Sequence, residues 1–177
     1  MRCMSPSLAS YARLAAQAAR PAGVLLSRHI GRPRTVETKR SAIDLVTEID
    51  RASERLIHRI LQRATPDFAF LGEEQGLRPQ RSEYRWIVDP LDGTNNFVHG
   101  LPLFGVSIGL EYRGRMVVGV VYDPMRRELF SATRGHGAFL NGRRIRVAAT
   151  RRLSHSLLAT GFSTHFLTHR QPYLRWF

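Results

Sequence analysis

Two carboxylates three positions apart, Asp89 and Asp92, stand at the end of a short apolar run, Trp86-Ile87-Val88. Pro90 stiffens the chain between them. Gly93 and Thr94 follow directly, a conformationally free position and then a hydroxyl able to cap a helix. Hard anionic oxygens beside a cluster of backbone N–H groups suit a divalent cation and a phosphate held side by side. A lone Asp-Pro or Asp-Gly is ordinarily a surface turn. Two further acidic positions alter that reading: Gly72-Glu73-Glu74 closes another apolar segment, and Asp50 sits at a helix start. Acids gathered at element boundaries need a cation to offset their mutual repulsion. Glu74 reads equally well as a supporting or a plain surface acid. The seven histidines show no metal-ligand spacing, His99 reads as a loop residue, and no Ser-His-Asp or Cys-His arrangement competes.

The surrounding pattern shows what must position these groups. Residues 8–28 form a first helix that Pro21 would kink or interrupt, followed by the connection Gly31-Arg32-Pro33-Arg34. Thr47 with Asp50 three residues on makes a capping box, with Asp in place of Glu. Behind it Ile49, Ala52, Leu56, Ile60, Leu61 and Ala64 fall on one face, so 48–64 reads as an amphipathic helix that Pro66 ends. Residues 68–71 form a short strand. Strands follow over 103–112, 116–122 and 128–133, and Asn141-Gly142 marks a two-residue hairpin. Residues 153–160 open a further strand, and 171–177 start a helix. The fold class is α+β, with a mostly antiparallel sheet and two N-terminal helices.

At 177 residues, with 43% apolar and 23% charged residues, the chain suits one soluble domain. The single cysteine, Cys3, excludes a disulfide framework within the chain and fits a reducing, cytoplasmic setting. No apolar run approaches the roughly 18 residues of a membrane span. The net charge of +13 points toward nucleic acid only superficially. Residues 1–40 carry eight Lys/Arg and one acid, residues 143–177 seven and none, and the middle twelve and thirteen. The excess lies at the two ends, and Lys39 is the only lysine. Residues 1–36, acid-free and Arg-containing, superficially match a transit peptide, but the first-helix reading is preferred.

Three segments carry a family resemblance: Ile43-Asp44-Leu45-Val46-Thr47-Glu48-Ile49-Asp50-Arg51-Ala52, Phe70-Leu71-Gly72-Glu73-Glu74, and the stretch from Trp86 to Phe97. In order and spacing they resemble the signature segments of inositol monophosphatases, Mg2+-dependent, lithium-inhibited phosphatases with a layered α/β/α/β/α fold. The likeness extends to residues 15–23, to Gly119-Val120-Val121-Tyr122-Asp123-Pro124 and to Gly135-His136-Gly137-Ala138-Phe139-Leu140-Asn141-Gly142. It implies that Glu73 and Asp89 bind a first Mg2+ with the Leu91 carbonyl. Asp89 would bridge to a second ion that Asp92 also binds, and a third would rest against Glu73. Gly93 and Thr94 would offer N–H groups to the phosphate, beside Glu73, Leu91 and Asp92. The Thr94 hydroxyl, bonded to Asp50, would help orient and deprotonate the attacking water, so Glu73, Thr94 and Asp50 form the catalytic set. Lys39 takes the place of a lysine in a loop that the family closes over the metals.

The resemblance implies hydrolysis of a phosphate monoester, with an inositol monophosphate or similar phosphorylated polyol as substrate. The full-length protein would be a homodimer. The family's C-terminal Trp-Asp-x-Ala-Ala-Gly motif, whose aspartate binds the second metal, is absent from residues 143–177. Residues 1–150 therefore read as the metal- and phosphate-binding subdomain and 151–177 as the start of a truncated second one. Impaired activity and an exposed apolar edge are expected of the chain alone. Two alternatives remain: a sister phosphatase for fructose-1,6-bisphosphate, histidinol phosphate or a 3′-phosphonucleotide, or a non-catalytic antitermination factor binding RNA polymerase or RNA.

Overall fold

A computed structural model describes residues 7–33, 35–38 and 45–159. Two long helices come early, α1 (Leu8–His29) and α2 (Glu48–Ala64), separated by the short strands β1 (Val36–Thr38) and β2 (Leu45–Thr47). After them run β3 (Ala69–Gly72), β4 (Gly76–Arg78), β5 (Tyr84–Asp92) and the short helix α3 (Thr94–Val98). The rest is a meander of β6 (Gly105–Tyr112), β7 (Arg115–Asp123), β8 (Glu128–Thr133), β9 (Gly137–Leu140) and β10 (Arg143–Ile145). Eight strands join one sheet in the order β10-β9-β8-β7-β6-β5-β3-β4, while β1 and β2 pair separately. Among the described residues, only β3 and β5 run parallel within the large sheet. The expected α+β class, mostly antiparallel with two N-terminal helices, is what the structure shows.

Alternation along the strands gives the sheet two unlike faces. Trp86 and Val88 of β5 pair with Leu110 and Ile108 of β6, which pair with Val118 and Val120 of β7. All six are buried, packed under α1 and α2. Each large side chain removed from water there contributes roughly 1.5–3 kcal/mol. The Trp86 indole N–H donates to Thr65 Oγ1 at 3.0 Å, so the largest core residue carries no unpaired polar atom. Small residues let α1 lie close: a Cβ on Gly23 would come within 2.5 Å of the Tyr122 ring.

The opposite face bears Ile87, Asp89, Ser107, Gly109, Val121 and Phe130, which neighbour one another across the strands. Val121 is 45% and Phe130 36% exposed, and Met116 at the end of β7 is 51% exposed. Among the described residues, no helix covers this face.

Several expectations need correction. α1 runs through Pro21 as one segment. The buried side of α2 is Ile49, Asp50, Ser53, Glu54, Ile57 and Leu61, whereas Ala52, Leu56 and Ile60 are half-buried and Ala64 is exposed. That side is rotated toward polar residues because their partners lie in the turns below. Of the strand expected over 153–160, the described residues 153–159 hold none: Leu153–His155 is a single 3-10 turn, and Leu157 and Leu158 are exposed. The helix expected over 171–177 and the loop residue Lys39 lie outside the described residues.

Candidate metal centre

Thr47 and Asp50 build the entrance to α2. Thr47 Oγ1 accepts the Ile49 and Asp50 N–H groups, and Asp50 Oδ2 accepts the Thr47 N–H at 2.9 Å and its hydroxyl. This is the capping box the sequence announced. The other oxygen, Asp50 Oδ1, accepts the Thr94 hydroxyl at 3.1 Å from across the fold. Asp50 is 1% exposed. Burial raises its carboxyl above the ordinary value, and the bonds from Thr47 and Thr94 pull it partly back.

β5 delivers the two motif aspartates. The strand continues through Pro90, with its register broken between Asp89 and Asp92. Asp89 Oδ1 accepts the Leu91 N–H at 3.1 Å, and Ser53 of α2 donates its hydroxyl to the Pro90 carbonyl at 2.9 Å. Gly93 then turns left-handed at φ 92°, and a Cβ there would sit 2.9 Å from the Leu103 carbonyl oxygen. Only glycine fits. Thr94 does not cap α3, because Gly93 holds the N-cap position without a side-chain bond. The Thr94 hydroxyl turns inward, 3.0 Å from the Leu91 carbonyl and 3.1 Å from Asp50.

β3 brings the third carboxylate. The Glu73 N–H donates to the Val88 carbonyl at 3.1 Å, which ties the end of β3 beside Asp89. Glu73 and Asp92 are exposed and Asp89 is half-buried. Burial pushes the Asp89 carboxyl up to about 8, aided by repulsion from Glu73, by a hydrogen bond shared with Glu73 and by repulsion from Asp92. Glu73 and Asp89 also line one cavity of about 500 Å3 on the open face, with Ile87, Ser107 and Met116. No three acidic, histidine or cysteine side chains among the described residues are yet drawn into a ligand set.

The donor chemistry nevertheless fits a hard divalent cation. Glu73 and Asp92 both add to the upward push on the Asp89 carboxyl, a repulsion that a hard cation would relieve. Asp89 thus lies within electrostatic reach of Glu73 and Asp92, and the Thr94 hydroxyl is bonded to Asp50.

Sequence reasoning missed Ser53 and Glu54. Both are fully buried on the same side of α2 as Asp50. Glu54 accepts the Glu74 N–H at 2.7 Å and the Gln75 N–H at 3.0 Å. Polar residues three and four positions past a helix-capping Asp were the available signal, since that spacing puts all three on one side. Glu74 therefore enters through its backbone, and its side chain is half-buried.

Comparison with known proteins identifies the family. The model of the inositol monophosphatase family matches residues 7–173. The chain belongs to that family. It is 48% identical over 153 residues to the Nus factor SuhB of Pseudomonas aeruginosa, covering 84% of this chain and 56% of that protein. It is 46% identical over 147 residues to an inositol-1-monophosphatase of Mesorhizobium japonicum, covering 82% and 55% respectively. Among solved structures, the Thermotoga maritima IMPase superposes with a TM-score of 0.80 at 38% identity, over 90% of this chain and 62% of that one. The chain thus spans little more than half the length of the curated relatives it matches.

Proposed function

We propose that this chain carries the metal- and phosphate-binding half of a Mg2+-dependent phosphomonoesterase, with an inositol monophosphate as substrate. The crowding of Glu73 and Asp92 around Asp89, beside the Thr94–Asp50 bond, carries the reading. Glu73, Asp89 and Asp92, with the Leu91 carbonyl, would hold two to three Mg2+ ions. Bound there, Mg2+ supplies positive charge against the phosphoryl oxygens and lowers the pKa of water.

The chain's own groups would do the rest. The left-handed turn at Gly93 orients the Gly93 and Thr94 N–H groups toward the phosphate. Asp50 Oδ1 accepts a hydrogen bond from the Thr94 hydroxyl, so Thr94 Oγ1 would accept a hydrogen bond from the attacking water and pass its own proton toward Asp50 as the water proton is taken up. Burial keeps Asp50 in place to do so. The same reading makes the full-length protein a cytoplasmic homodimer, inhibited by lithium, with a second subdomain beginning near residue 151. No helix among the described residues is long and apolar enough to cross a membrane.

Calorimetric Mg2+ titration tests the centre, and phosphate release tests the substrate across inositol 1-phosphate, fructose-1,6-bisphosphate, histidinol phosphate and a 3′-phosphonucleotide. Mg2+ binding that disappears in Asp89→Asn is the expected result. Equal binding by the chain and this variant would overturn the assignment. A second reading, an antitermination factor that binds RNA polymerase or RNA, is favoured by the SuhB name of the 48%-identical relative. Binding to RNA that weakens steeply with salt would support it, and salt-insensitive or absent binding to both partners would remove it.

A further inference from the structure

The ligand-bearing turn after β3 is gripped from underneath. Glu54 is 0% exposed, and both of its oxygens are used by consecutive backbone amides, Glu74 through Oε2 and Gln75 through Oε1. Those amides immediately follow Glu73. The carboxylate reaches them only because β3 ends in Gly72, where a Cβ would lie 2.4 Å from the Glu54 carboxyl carbon. Glycine is required there by the acid beneath it, since its φ is not left-handed. The grip is two-sided in the chain: the Glu73 N–H is held by Val88 of β5, one residue before Asp89.

Glu54 therefore sits on the helix-covered side of the sheet and fixes the backbone of a turn whose first acid belongs with Asp89 on the other side. We propose that Glu54 is a positioning residue for the metal centre: by clamping the Glu74 and Gln75 amides it fixes where the Glu73 carboxylate stands relative to Asp89. The inference rests on the metal reading given above. A buried carboxylate accepting two amide bonds makes strong, charge-assisted contacts, and exchanging one acceptor for a donor undoes one of them. In Glu54→Gln the side-chain NH2 must face one of the two amides. Residues that orient metal ligands from behind typically change affinity about 10-fold to 100-fold when altered.

The test uses the whole chain and two readouts, Mg2+ affinity by calorimetry and hydrogen exchange of individual amides. Glu54→Gln is expected to weaken Mg2+ binding by about 10-fold or more and to speed exchange at Glu74 and Gln75, with the β8 amides unchanged. Gly72→Ala attacks the same contact from the strand side and serves if Glu54→Gln does not fold; the same two amides and the same affinity loss are expected. Unchanged Mg2+ affinity in a folded variant whose Glu74 and Gln75 amides have been released would overturn the proposal. So would undisturbed amides in both variants. A parent chain that binds no Mg2+ defeats the metal reading itself and is told apart by the parent titration, while the exchange data still report whether Glu54 clamps the turn.

Discussion

The helix-covered half of the site and its open half are built on opposite principles. Asp50, Ser53 and Glu54 lie under the sheet, buried, with their described polar atoms bonded to Thr47, Thr94, Pro90, Glu74 and Gln75. Glu73, Asp89 and Asp92 stand above it and mostly repel one another. The first set is satisfied by the protein alone. The second is a set of like charges whose mutual repulsion a cation would relieve. A scaffold fully bonded beneath can hold an arrangement above it that would otherwise spread apart.

The largest expected effect breaks the covered side. Trp86→Ala should cost about 3–5 kcal/mol, read as a lower urea midpoint, whereas Ile87→Ala, its sequence neighbour on the open face, should cost far less. Similar losses at both positions would erase the distinction. Asp50→Ala comes next. It leaves the Thr47 N–H and hydroxyl without their acceptor, removes one of the two acceptors of the Thr94 hydroxyl, and should cost about 1–3 kcal/mol, with exchange at the start of α2 accelerated.

The open side is sharpened by pH. Asp89 rises from 3.8 to about 8 in the folded chain, so between those values the native state holds more protons than the unfolded one. Stability of the metal-free chain should therefore fall as pH climbs from about 4 toward 8 and level off above. Glu73→Gln removes one repelling charge and should end the fall at a lower pH; denaturant melts across that range decide. The smallest effect is expected at Val121→Thr, within about 0.5 kcal/mol, since that side chain is already 45% exposed.

Local features were legible in the sequence. The Thr47–Asp50 box spans three residues, and both its bonds are made within one turn, so spacing alone revealed it. Residues 48–64 and 128–133 form elements with the expected bounds. Of the four acids singled out by the sequence, Asp50 stands in the first turn of α2, Glu73 directly after β3 and Asp92 at the end of β5, whereas Asp89 lies within β5. Glu54 was not legible, because its partners lie 20 and 21 residues away and its neighbours on the helix read as an ordinary charged stripe. β1, β2 and β4 have three residues each, too few to display alternation. Residues 153–160 looked like a strand because strand propensity is local, while pairing needs a neighbouring edge.

The placement of α1 has a kinetic consequence. The strands from β6 to β10 are joined in sequence order by tight connections, so each of those pairings closes a short loop. α1 (Leu8–His29) instead lies across β6 and β7, far along the chain, with Gly23 seated against Tyr122. Long-range closure is slow relative to hairpin formation. The meander can thus assemble early, but its apolar underside stays wet until the first helix arrives. During that interval the molecule is most exposed to association with others of its kind, and the speed of one docking event limits how long the interval lasts.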